Sequence, residues 1–245
     1  MEINPEQPQP EAIERAAAAV RRGKVVAIPT DALYTLVADP FNLRAVNRVF
    51  YAKGREIHRS LPLLVGDIMM VEELAKDLSN RFFLLARRFW PGPLTLIVPA
   101  SEKVPLKVTG NTGRLAVRQS KSTVANALVG ALNQPLISTS ANISGRPTCR
   151  SGIEVFGMMD GRVDLVLDGG ACAGPGAALA ASCAASSDTV GTLLRRVRRS
   201  HCLKMILRNQ PGKLCGFSSV GRSRNAWMNA SCAASSAQWK SRTTE

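Results

Sequence analysis

Apolar residues recur at helical spacing between Glu11 and Arg22, where Ile13, Ala16, Ala17 and Val20 form one face. Glu11 and Glu14 fall in the first turn and Arg21 and Arg22 in the last, matching the helix dipole. Pro10 suits the first helical position and Gly23 the end. The period then changes. KVVAIP (Lys24–Pro29) is a continuous apolar run that predicts a buried strand, stopped by Pro29 and followed by the polar pair Thr30-Asp31. Asn42 can cap a second helix through Ala52, with Leu43, Val46, Val49 and Phe50 inward and Gly54 just beyond its end. LPLLV (Leu61–Val65) is strand-like, Asp67 opens a helix through Leu78, and Ser79 or Asn80 opens another to Phe89. Trp90-Pro91-Gly92-Pro93 breaks that helix and reads as a rigid turn. Strands follow at Leu94–Val98 and Leu115–Arg118, a helix at Ser122–Leu132, then strands at Pro135–Ser138 and Val163–Leu167, the last closed by Asp168-Gly169-Gly170. Strands alternating with helices imply a three-layer α/β domain whose sheet is largely covered on both faces.

After Gly174 the regularity fades. The heptapeptide ASCAASS occurs at Ala181–Ser187 and again at Ala230–Ser236, and a basic cluster runs from Arg195 to Arg199. A domain over residues 1–174 and a divergent, poorly ordered tail over 175–245 are expected. Charge sharpens this division. Lys and Arg number 32 against 18 Asp and Glu, a net charge of +14. Residues 175–245 hold 11 Lys/Arg and 2 Asp/Glu, or +9, which leaves +5 for the first 174 residues. Such a balance favours polyanionic partners, nucleotides or RNA. Four of the six cysteines also lie in the tail; none forms C-x-x-C, and the chain has two histidines, a pattern that argues against a zinc site. No apolar run approaches membrane-span length, and the N-terminus lacks the pattern of a secretory signal, so a cytoplasmic protein with free thiols is expected.

Three segments carry candidate chemistry, each where a strand or helix ends. Pro29–Tyr34 brings a hydroxyl, a carboxylate and a phenol out of a buried strand; it reads either as an ordinary loop or as a ligand site at the strand's carboxyl end. Lys53-Gly54-Arg55 reads either as a helix C-terminus with its glycine cap or as a phosphate clamp, a point charge beside a planar fork. Ser138-Thr139-Ser140-Ala141-Asn142 reads either as a turn or helix start or as a polar cradle for a nucleotide or an amino acid, with Arg118 as a second cation beside it. For His58 a solvated loop position, and for Cys149 and Cys172 plain small-residue packing, are the simpler readings.

Taken in order, P-T-D-A-L-Y (29–34), K-G-R (53–55), W-P-G-P-L-T (90–95), A-V-R (116–118) and S-T-S-A-N-I-S-G (138–145) resemble the signature series of the YrdC/Sua5 family, over roughly residues 11–174. That resemblance implies a YrdC-like open twisted sheet with flanking helices and a basic concave cavity. It implies an L-threonylcarbamoyladenylate synthase, a nucleotidyltransferase that joins L-threonine, bicarbonate and ATP with Mg2+. Downstream threonylcarbamoyl-transferase proteins would carry the group to adenosine 37 of tRNA, and some relatives bind double-stranded RNA. By resemblance, Lys53 and Arg55 contact the triphosphate and are the catalytic cations, Ser140 and Asn142 complete the nucleotide site, and Thr30, Arg118 and Ser138 seat threonine. No protein metal site is implied. A weakly catalytic tRNA- or double-stranded-RNA-binding protein on the same fold is the alternative.

Two departures from the family pattern stand out. Thr35 occupies a position that is glycine in most members, and a β-branched residue cannot take positive φ cheaply, so a shifted or strained loop is expected. After Asp168-Gly169-Gly170 the usual Ser-Thr closing segment is replaced by small residues, so the closing strand is expected to be lost.

Overall fold

The structure, a computed structural model, describes residues 1–172 and the backbone of Ala178–Ser182. Apart from that short stretch, the basic tail lies outside the described residues. The elements run α1 (Pro10–Arg21), β1 (Val26–Ile28), β2 (Thr35–Ala38), α2 (Leu43–Lys53), β3 (Leu63–Leu64), α3 (Ile68–Leu74), α4 (Asn80–Phe89), β4 (Leu94–Pro99), α5 (Leu106–Thr109), β5 (Arg114–Arg118), α6 (Thr123–Leu132), β6 (Leu136–Ser140), α7 (Gly152–Met159), β7 (Leu165–Val166) and β8 (Ala178–Ser182).

One open mixed sheet has the order β7-β1-β2-β6-β3-β5-β4-β8. Pairings β1–β7, β3–β5 and β4–β8 are parallel, the others antiparallel. The mixture follows from connection length. Residues 29–34 are too few to hold a crossover helix, so β2 returns antiparallel beside β1. Each face of the sheet has its own core. On one, α1 (Ala12, Ile13, Ala16, Ala17, Val20) and α6 (Val124, Ala125, Leu128, Val129) pack on Val26, Ile28, Val37, Leu64 and Leu136. On the other, α2, α3, α4, α5 and α7 bury Val46, Phe50, Val71, Phe82, Val108 and Val155 against Ala27, Leu36, Leu63, Leu96 and Val117. Among the described residues no helix is long and apolar enough to cross a membrane.

Local signals place most helix starts. Asn42 Oδ1 accepts from Arg44 N at 3.0 Å and Ala45 N at 3.3 Å. Ser79 and Ser122 cap α4 and α6 through their hydroxyls, and Asp67 caps α3. Helices α5 and α7 stand where no helix is expected, and four further expectations change. The helix from Asp67 stops at Leu74 rather than Leu78, because Ala75 bridges Ala100 and Lys76 N donates to Pro99 O at 2.9 Å. Strand β2 stands where no strand is expected, and its pairing carries β6 through Thr139 and Ser140. Thr35 opens β2 in extended conformation, paired with Ile28 and Ser140, so the exchange of glycine for threonine costs no left-handed strain. Finally, the closing strand expected to be lost is present in backbone as β8, parallel to β4 at the sheet edge.

Candidate functional site

Register decides which side chains share a face. Leu64 pairs with both Arg118 and Leu136, so Arg118 stands on the Leu136 face, and alternation adds Ser138 and Ser140. Leu64 and Leu136 lie under α1 and α6. Arg118, Ser138 and Ser140 are partly buried on that face. The Ser138 hydroxyl makes no hydrogen bond to a described residue.

Two polar nodes form around this face. At the first, Arg118 Nη2 lies 2.6 Å from each oxygen of Asp31, and its Nε donates to Gly92 O at 2.9 Å. Ser120 Oγ also donates to Asp31. Three sequence motifs thus meet at one guanidinium: Asp31 comes from P-T-D, Gly92 from the W-P-G-P turn, and Arg118 from A-V-R. A Cβ on residue 92 would lie 2.2 Å from Phe89 O, so only glycine fits there. Burial pushes the Arg118 guanidinium down from its ordinary value, opposed by Asp31. Thr30, beside this node, spends its hydroxyl on its own loop, donating to Leu33 O at 2.6 Å. A cleft of about 340 Å³ opens here, lined by Thr30, Asp31, Lys121, Ser122 and Cys172 among others.

The second node lies at the C-terminal end of α2. Lys53 is 3% exposed. Its Nζ donates to Ser140 O (2.5 Å), Asn142 O (2.9 Å) and Asn142 Oδ1 (3.2 Å), with Ser140 Oγ at 3.4 Å. Burial, then the neighbouring Arg55, bring its pKa down to about 8. Gly54 takes φ 55°, the left-handed cap that turns the chain between the two cations. Arg55 Nη2 donates to Ser60 O at 2.8 Å, while its Nε is buried and has no hydrogen-bond partner among the described residues. Burial, and then Arg59, push its guanidinium below the ordinary value.

The structure therefore brings Lys53, Ser140 and Asn142 into direct contact, with Arg55 just beyond the Gly54 cap. It joins Arg118 to the Thr30–Asp31 loop and leaves Ser138 on the shared face. Asp31, Gly92 and Ser120 complete the Arg118 node. Asp31 is visible in the P-T-D motif and Gly92 between its prolines, but Ser120 has no sequence signal. Tyr34, fully buried, organises the loop's other side: its hydroxyl lies 3.0 Å from Asp168 Oδ1 and 2.8 Å from Gly170 O, and accepts from Gly169 N at 3.0 Å. Burial pushes its pKa up. His58 is an exposed loop residue 3.2 Å from Glu56. Cys149 and Cys172 are free thiols, both pushed up by burial.

Comparison with known proteins matches this arrangement to a family. The Sua5/YciO/YrdC model, described as "Telomere recombination", matches residues 18–196. The threonylcarbamoyl-AMP synthase of Pyrococcus abyssi (strain GE5 / Orsay) is 40% identical over 158 residues, covering 64% of this chain and 46% of that protein. The Bacillus subtilis (strain 168) synthase is 35% identical over 170 residues, covering 69% of this chain and 48% of that one. This chain thus spans about half the length of these two relatives. The crystal structure of P. abyssi Sua5 complexed with L-threonine superposes with a TM-score of 0.70 at 37% identity, covering 73% of this chain and 53% of that chain. E. coli YciO superposes at 0.68 and 25% identity, covering 73% of this chain and 87% of that chain. With the family match spanning well over half of its residues, the chain belongs to the Sua5/YciO/YrdC family.

Proposed function

We propose that this chain is a threonylcarbamoyl-AMP synthase, and that the two nodes hold the two ends of its reaction. The observation that carries the reading is the buried, unpartnered Nε of Arg55, whose charge neighbours the Lys53 that holds the Ser140–Asn142 cradle. A buried donor without an acceptor costs about 1–3 kcal/mol, more when charged, and a phosphate oxygen is the acceptor that suits a guanidinium. The relatives named threonylcarbamoyl-AMP synthase, and the threonine-bound P. abyssi structure, point to the same chemistry.

Bicarbonate carbon bonds to the threonine amino nitrogen with net loss of water, giving a carbamate. A carbamate oxygen then attacks the α-phosphorus of ATP, the bond to the bridging oxygen of the β-phosphate breaks, and pyrophosphate leaves. All the reactants except zwitterionic threonine are anions, and threonine itself presents a carboxylate. The site must bring them together and stabilise charge on the transferring group. Arg118 pairs the threonine carboxylate through Nη1, the nitrogen that Asp31 and Gly92 leave unused. Thr30 shapes the adjoining cleft, and Ser138 offers its hydroxyl from the shared face. Arg55, Ser140 and Asn142 hold the nucleotide, with the Lys53 charge behind them. These donors suit phosphate oxygens rather than a dedicated cation cage, so Mg2+ would be held mainly by the triphosphate, where it neutralises charge. The product is a mixed anhydride, and a transferase acting on tRNA would consume it.

The test is pyrophosphate release from ATP, measured with and without threonine and bicarbonate. Release that needs both, and that falls by about 100-fold or more in Arg55→Ala, is expected from the loss of one preorganised donor. Release independent of threonine, or none from folded protein, would overturn the reading.

A further inference from the structure

The Lys53 ammonium has three protons, and its four oxygen neighbours all belong to Ser140 and Asn142. Two of these neighbours are main-chain carbonyls two residues apart that converge on one point. A cation between them removes their mutual repulsion and satisfies both. The attachment is reciprocal, because Ser144 N donates to the Lys53 carbonyl at 2.8 Å. Asn142 completes the shape: its Oδ1 accepts from Ser140 Oγ at 2.6 Å, and its Nδ2 donates to Ile143 O (3.0 Å) and Arg146 O (2.6 Å). A phosphate oxygen could reach Lys53 only by displacing one of these partners. Arg55, one residue beyond the glycine cap, has a single hydrogen bond and an unpartnered Nε.

We infer that Lys53 is a positioning residue for the nucleotide: it fixes the Ser140–Asn142 cradle from behind, and direct contact with phosphate falls to Arg55. The inference rests on nucleotide binding at this node, and it removes Lys53 from the residues that touch ATP. A lysine that acts by orienting the Asn142 side chain loses that effect once the side chain is removed, although both main-chain carbonyls stay in place. A lysine touching phosphate keeps its full effect.

The experiment is a double-mutant cycle on ATP affinity by calorimetry, in the full chain, with Lys53→Met and Asn142→Ala. Lys53→Met is expected to weaken ATP by about tenfold in the parent chain and by less than about twofold in the Asn142→Ala background. A loss of equal size in both backgrounds overturns the inference. A second arm uses no Lys53 variant and so survives a misfolded one. The ammonium, faced by Arg55 and Cys149, sheds its proton near pH 8. ATP affinity of the parent chain should therefore fall as pH rises through about 8, and that limb should flatten in Asn142→Ala. An undiminished limb in Asn142→Ala overturns the inference just as surely. A parent chain that binds no ATP overturns the proposed function itself, and is recognised before any variant is compared.

Discussion

Arg118 and Asp31 have side chains only 11% and 18% exposed, and each would be costly alone. Pairing supplies the compensation, with Gly92 O and Ser120 Oγ satisfying the remaining directions. Breaking a buried pair by removing one partner leaves an uncompensated charge, typically costing about 3–5 kcal/mol. Because this pair keeps some contact with water, Asp31→Ala should lower unfolding free energy by about 3 kcal/mol, read from urea denaturation. Asp31→Asn should lose less, since its amide oxygen still accepts from Arg118 and Ser120. Equal losses would mean that charge, not hydrogen bonding, dominates the node. The partners of this pair lie 87 residues apart, which is why the motif made Asp31 visible while its role was not.

Helix α2 connects local sequence rules to the site most directly. Asn42 caps its start, Gly54 caps its end in the left-handed region, and the two cations flank that glycine. Nothing lies within 4 Å of a Cβ added at Gly54, so Gly54→Ala meets only backbone strain of about 1 kcal/mol. Asn42→Ala should cost about the same through the lost cap. The two are expected to separate in the pyrophosphate assay: Asn42→Ala keeps activity, whereas Gly54→Ala lowers it by redirecting Arg55. Parallel activity loss in both would point to general loosening of α2. Helices α2, α4 and α6, bounded by such caps, were legible in the sequence, whereas α7 was not expected although Ser151 caps it. Strand β2 was not, because all four of its residues are buried and carry no alternation. The end of α3 was not either, because a bridge to Ala100, far along the chain, sets it. The same distinction holds at the site: the motifs named the nodes' residues except Ser120, but only the register of β3, β5 and β6 puts Arg118, Ser138 and Ser140 on one face.

At the scale of the whole chain, every side chain assigned to the reaction lies between Thr30 and Asn142, while most of the net positive charge, +9 of +14, lies after Gly174. Chemistry and bulk electrostatics are thus carried by different stretches. The family match ends at residue 196, and the segment beyond it holds nine Lys/Arg against one acidic residue. Ending the chain at residue 196 should leave threonine- and bicarbonate-dependent pyrophosphate release within about twofold, because no residue of either node is touched. Retention on double-stranded RNA at low salt should fall, with a shallower dependence on salt, because fewer phosphates are neutralised. If release disappears while the shortened chain remains folded, residues beyond the family match take part in the reaction. If RNA retention is unchanged, the +5 balance of the first 174 residues suffices for it, and the basic extension must serve another purpose.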